Sequence, residues 1–94
     1  MAESLNAHEL LESFRTGDPK AYTVITEKFY SRLVEFSFQI TKNETQARGI
    51  ASESLQKLFS RSHLYQTTEH YENFLYVATR NASINYLRYL RTIT

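Results

Sequence analysis

From Lys20 to Arg48 the chain runs without a glycine or a proline, and inside that stretch Tyr22, Ile25, Phe29, Leu33, Phe36 and Ile40 recur at steps of three and four. That spacing follows the 3.6-residue turn and makes one continuous apolar stripe, so the segment is committed to a long helix. Asp18 is a good N-cap and Pro19 suits the first helical turn, so the helix is expected from Pro19 to about Thr41. Tyr30, Val34 and Phe38 form a second apolar stripe on the same segment. A helix with two such stripes is either covered on two sides or keeps one side for a partner.

The rest of the chain follows the same grammar. Two glycines and one proline in 94 residues leave few breaks, which favours long helices with short connections. Asn6 and Glu9 are spaced as a capping box, ahead of a helix carrying Leu10, Leu11 and Phe14 that should stop at Gly17. Asn43 caps a third helix, with Gln46 as its box partner and Ala47, Ile50, Ala51, Leu55 and Leu58 facing inward. "SHLYQTTEH" interrupts the periodicity, so about Ser62 to Thr67 reads as a loop. Thr68 is expected to cap the last helix, where Glu69 and Glu72 suit the positive dipole end. No segment alternates with the two-residue period of a strand. The expected fold is all-α, a compact bundle of about four helices over 7–16, 19–41, 44–61 and 69–91, with the second helix central. Phe29, Leu33, Phe36, Ile50, Leu58, Leu75 and Ala78 are its expected core.

This length supports one small domain, and the 41% of apolar residues can build its core. No cysteine is present, so disulfides and thiolate metal sites are excluded. No apolar run approaches the roughly 20 residues of a membrane span, and "MAESLNAHELLESF" lacks the basic and apolar segments of a secretory signal. A cytoplasmic protein without membrane insertion is expected, and the Asn43-Glu44-Thr45 and Asn81-Ala82-Ser83 triplets then read as chance glycosylation matches. His8, His63 and His70 form no ligand-spaced pair, and neither a phosphate-cradling glycine loop nor a nucleophile elbow occurs. The chain is therefore expected to be no enzyme and to need no cofactor or metal.

The polar side of the last helix is the unusual feature. Between Asn73 and Thr94 there are three arginines, Arg80, Arg88 and Arg91, and no acid. Tyr71, Phe74, Leu75, Ala78, Ala82 and Tyr86 fall on one side of a helical wheel; the arginines, Tyr76, Val77 and Ile84 fall on the other. Arg80 to Arg91 spans about 16 Å. Cations suit a helix C-terminus, which accounts for Arg88 and Arg91 as solvated groups. It does not account for Arg80 or for apolar residues among the arginines. Contact with nucleic acid does, since arginine meets phosphate and aromatic rings stack on unpaired bases.

The stretch "FLYVATRNASINYLR" resembles a signature of the extracytoplasmic-function sigma factors, in region 2 of the sigma-70 family. That signature has a Trp-Leu-Tyr-x-Ile-Ala-x-Asn core and an Ala-x-Asp-x-Leu-Arg-like end. Phe74, Leu75, Tyr76, Ala78, Asn81, Ile84, Leu87 and Arg88 occupy matching places. Upstream, "ITKNETQARGIASESLQKLF" is similar to the family's A-E-D-[IL]-V-Q-E-V-F helix, and "FYSRLVEFSFQIT" to the helix before it. The resemblance covers about Leu10 to Arg91 and implies a promoter-specificity domain. Such a domain binds core RNA polymerase through the clamp helices of the beta-prime subunit. It recognises and melts the minus-ten element, holding the single-stranded non-template strand with a flipped base in the loop. An anti-sigma factor is a further partner that the resemblance allows.

The resemblance assigns polymerase contact to the face of Gly49, Ser52, Glu53 and Gln56. Gly49 stands where the family has an acid, Ser52 where it has a glutamine, and Gln56 lies one turn on from Ser52. Phe74 stands for the usual tryptophan and Asn85 for the usual acid. DNA contact falls to the loop from about Ser62 to Glu69 and to Tyr65, Tyr76, Arg80, Asn81, Arg88 and Arg91. The arginines neutralise phosphates and Tyr65 and Tyr76 stack on bases. Asn81 either meets a base edge or fixes the loop. Sigma factors of this group continue into a helix-turn-helix domain absent from these residues, so the chain is either a piece of a longer protein, the expectation here, or a single-domain relative. Two other readings stay open: a helical protein-interaction module such as an anti-sigma-like adaptor, using Tyr30, Val34 and Phe38, and a stand-alone helix-turn-helix repressor, for which the helices look too long.

Overall fold

The computed structural model describes residues 6–93. Four helices and one short 3-10 turn make up that span: α1 is Ala7–Arg15, α2 is Pro19–Thr41, α3 is Glu44–Ser60 and α4 is Thr68–Ile93, with the 3-10 turn at Ser62–Leu64. The fold is the expected all-α bundle. No helix among the described residues is long and apolar enough to cross a membrane.

Local chemistry sets the ends of the elements. The Asn6 side chain accepts from the Glu9 amide at 2.8 Å while the Glu9 carboxylate accepts from the Asn6 amide at 3.1 Å, closing the capping box. At the other end Gly17 adopts φ +85°. The Gly17 amide donates to the Phe14 carbonyl and the Asp18 amide to the Ser13 carbonyl. This reciprocal pair is the Schellman closure, and it needs a residue tolerant of positive φ. Asp18 then caps α2 through the Lys20 amide, with Pro19 opening the helix.

Two expected caps differ. Asn43 accepts from the Gln46 amide, but its own amide donates to Thr41 Oγ1 at 3.2 Å instead of to the Gln46 side chain. The box stays half closed because the Thr41 hydroxyl takes the amide's hydrogen bond. Thr68 lies inside α4, and it is the Thr67 hydroxyl that accepts from the His70 amide at 3.0 Å.

α2 is central and packs on α1, α3 and α4. One half of the bundle holds an apolar core of Phe14, Ile25, Phe29, Leu33, Leu55, Leu58, Tyr71 and Leu75, all buried. In the other half Ala47 and Ile50 are buried together with a set of hydroxyls: Ser37 and Thr41 from α2, Ser54 from α3, Thr79 and Ser83 from α4. Ser37 and Ser83 hydroxyls lie 2.7 Å apart, Ser83 donates to the Thr79 carbonyl at 2.7 Å, and Thr79 donates to Ser54 at 3.1 Å. A serine has one proton. Since Ser83 gives its proton to Thr79, Ser37 must donate to Ser83. Side chains this small let the three helices approach closely, and each buried oxygen is satisfied by another.

This polar half corrects the expected core. Phe36 and Ala78 are only half-buried, while Phe29, Leu33, Ile50, Leu58 and Leu75 are buried as expected. The buried line of α2 runs Ile25, Phe29, Leu33, Ser37, Thr41 in steps of four. Each such step advances roughly 40° beyond a full turn, so the line winds away from Phe36 and Ile40. Phe36 instead meets the Tyr76 ring edge-on, with centroids 5.4 Å apart and planes at 77°.

Candidate functional site

The site is built on the outward side of α4. Thr79 and Ser83 are buried against α2 and α3, which turns Arg80, Asn81, Asn85 and Arg88 outward, and all four are exposed. Arg80, Asn81, Ile84, Asn85 and Arg88 line a groove of about 370 Å³. Arg80 and Arg88 stand two turns apart, about 12 Å, with Ile84 between them. Neither guanidinium has an ion-pair or hydrogen-bond partner among the described residues. Arg91, one turn further on, is also exposed.

On its α3 side this groove adjoins a second, of about 290 Å³, lined by Lys57, Phe74, Val77, Ala78, Asn81, Ala82 and Asn85. Lys57 and Asn85 were not among the residues expected from sequence. The signal for Asn85 is present, since it lies one turn after Asn81. Lys57 carries no such signal, because Glu53 one turn earlier suggests an ordinary surface pair; in the folded chain the two form no ion pair. The grooves therefore carry three cations, two amides and the exposed Val77 side chain.

Of the two tyrosines expected to stack on bases, Tyr65 is enclosed and Tyr76 is partly exposed. Tyr65 is 6% exposed. Its ring packs among Phe14, His70 and Phe74, at centroid distances of 6.3, 4.7 and 5.6 Å. Burial raises its phenol pKa, with Arg61 opposing. The 3-10 turn folds Tyr65 inward because α1 supplies Phe14 as a wall, a tertiary contact that loop sequence does not display. Tyr76 is half-buried, with its ring meeting Phe36 edge-on. Tyr71 is buried, as expected of the core side.

The loop is likewise anchored. Ser62 is buried with its hydroxyl 3.3 Å from that of Tyr22, leaving His63, Leu64 and Gln66 exposed. No residue of the loop lines either groove on α4. Thr68 and Arg80 are about 18 Å apart along the helix, so loop and arginine groove are two separate places.

The outward face of α3 has the exposure expected of it: Gly49, Ser52, Glu53 and Gln56 are all exposed. A Cβ added at Gly49 would meet nothing within 4 Å. Ser52 and Gln56 line a cleft of about 310 Å³ with Thr26, Tyr30, Leu55 and Phe59. Tyr30 also borders a groove of about 380 Å³ with Ser31, Val34, Glu35, Phe38, Glu44 and Arg48. The second stripe of α2 is thus left accessible, with Phe38 42% exposed. Among the described residues no group of three His, Asp or Glu side chains could hold a metal ion. The chain matches no family model, no curated protein and no solved structure.

Proposed function

We propose that this chain is a sigma-factor-like domain that docks on core RNA polymerase and holds the single-stranded non-template strand of the minus-ten promoter element. The observation that carries the reading is the acid-free groove on α4, where unpaired, exposed Arg80 and Arg88 flank Asn81 and Asn85. Two guanidiniums without carboxylate partners favour a polyanion, and their contacts with phosphate are independent of sequence. With Tyr65 in the core, the apolar contact to bases falls to Tyr76, Val77 and Ile84, and the exposed His63, Leu64 and Gln66 remain for a base held at the loop. The polymerase contact is assigned to Gly49, Ser52, Glu53 and Gln56, against the clamp helices of the beta-prime subunit. That face is exposed, nearly uncharged and bordered by a cleft, which suits a helical partner.

The accessible stripe of Tyr30, Val34 and Phe38 favours a second reading, a helical protein-interaction module that needs no nucleic acid. One experiment separates the two. The domain is mixed with core RNA polymerase and a labelled single-stranded promoter oligonucleotide, and ternary complexes are counted. Arg80→Ala with Arg88→Ala should keep the polymerase and lose the strand. Ser52→Arg or Gln56→Arg should lose the polymerase with an unchanged circular dichroism spectrum. A domain that binds neither polymerase nor oligonucleotide contradicts the sigma-factor reading and leaves the interaction module.

A further inference from the structure

The two most exposed large apolar side chains among the described residues lie outside both α4 grooves. They are Tyr89 and Ile93, at 59% and 58%, near the end of α4. Spaced i and i+4, they share one helix face. Arg88 flanks that face, exposed and with no ion-pair or hydrogen-bond partner for its guanidinium among the described residues. The groove between α2 and α3 matches this end in spacing and in charge. Val34 and Phe38, also i and i+4, give it an apolar line that Tyr30 extends. Glu35 stands on its α2 wall and Glu44, paired with Arg48, on its α3 wall. Two acids and one arginine leave the groove a net negative charge, and Glu35 is exposed with no ion-pair partner among the described residues.

We propose that this groove takes the α4 end of a second copy of the chain, and that two copies exchange these ends. The inference goes beyond the strand reading of α4 and does not depend on it. An apolar helix face laid in an apolar groove, read at i and i+4, is a general mode of helix recognition. Tyr89 and Ile93 of one copy lie along Val34 and Phe38 of the other, and Arg88 meets Glu35. A chain cannot fill its own groove: α4 already packs on the buried sides of α2 and α3, through Ser37 and Ser54, whereas Tyr30, Val34 and Phe38 lie on another side of α2. Groove and α4 end nevertheless sit at the same end of the bundle, since Asn43, between α2 and α3, donates to the Tyr86 hydroxyl at 3.2 Å. A twofold axis there lets each copy give its end and receive the other, a closed pair rather than an open filament.

The test is sedimentation equilibrium of the full chain, from about 1 µM to about 100 µM, the range of weak reversible association. Nucleic acid is left out, because a strand would compete for Arg88. The mean mass of the parent should rise from one chain toward two. Glu35→Arg sets cation against cation across the contact, and Arg88→Glu sets acid against acid, so each variant alone should stay monomeric. An equimolar mixture of the two should dimerise as the parent does, because the substituted groups face each other in one contact and the native groups in the other. Ile93→Ser and Phe38→Ser, both at exposed positions, should each weaken association of the parent by about tenfold while the circular dichroism spectrum stays unchanged. A parent that is monomeric throughout, or a mixture that associates no better than either variant alone, overturns the proposal. A mass that climbs past two chains overturns the closed exchange.

Discussion

Removing the Ser83 hydroxyl should destabilise the bundle more than removing the Ser37 hydroxyl, although the two share one hydrogen bond. Ser83 accepts from Ser37 and donates to the Thr79 carbonyl, at 2.7 Å in each case. Ser83→Ala strips the partner from a buried donor on Ser37, which costs about 1–3 kcal/mol. Ser37 can turn back toward its own helix carbonyls, so the lower half of that range is expected, about 1–2 kcal/mol. Ser37→Ala leaves Ser83 still donating to Thr79 and loses only an incoming bond, about 0.5–1 kcal/mol. The double variant leaves no stranded donor, so its cost should fall short of the sum by about 0.5–1 kcal/mol. Urea unfolding followed by helical circular dichroism measures all four proteins. Each kcal/mol corresponds to roughly 4–8 °C in Tm for a domain of this size, so thermal melts check the order independently. Equal costs for the single variants, or strict additivity in the double, would refute the proton routing through Ser83 and with it the account of how α4 is oriented.

Gly49→Ala should stabilise the fold by about 0.5–1 kcal/mol, because a mid-helix glycine costs that much and the new methyl group meets nothing within 4 Å. If the α3 face is approached closely by a partner backbone, the same variant should weaken polymerase binding while raising Tm; a lowered Tm contradicts the packing. Burial raises the phenol pKa of both Tyr65 and Tyr71 above the ordinary 10.0; Arg61 opposes this at Tyr65, while at Tyr71 the Thr68 hydrogen bond opposes it and Glu72 reinforces it. The unfolded chain releases these protons first, so their contribution is complete below about pH 10 and is lost as pH rises through the folded-state values. Urea midpoints should drop between about pH 9 and about pH 11, and Tyr65→Phe should reduce the drop; an unchanged drop places Tyr65 outside the core.

Periodicity and end signals carried the fold a long way, because both are local. Asn6 with Glu9, Gly17, and Asp18 with Pro19 each act within four residues, and the helices they bound lie within two residues of expectation. What escaped was tertiary. A wheel scores Phe36 and Ile40 as inward and Ser37 as outward, yet Ser37 is buried because Ser83 satisfies it across the bundle. Thr79 and Ser83 were invisible for the same reason. Tyr65 looked like a loop aromatic open to a base until Phe14, far away in sequence, closed over it. The α4 surface was legible because its signal is an absence of acid along one stretch of helix, from Asn73 onward. Lys57 was not, because it reaches the second groove from α3. Charge read along one element does not show what the neighbouring element brings to it.

The central claim is that the α4 groove binds single-stranded nucleic acid through its arginines. The most direct test is the affinity of the intact chain for a single-stranded oligonucleotide, measured by anisotropy across a series of salt concentrations. Two or three arginine–phosphate contacts, at about 0.7 per contact, give a log–log slope of roughly −1.4 to −2.1. Changing Arg80 and Arg88 together to Ala should flatten it by about 1.4 with the fold intact. A slope that is the same in the parent and the double variant would contradict the claim and return these arginines to solvated ornaments of a helix end.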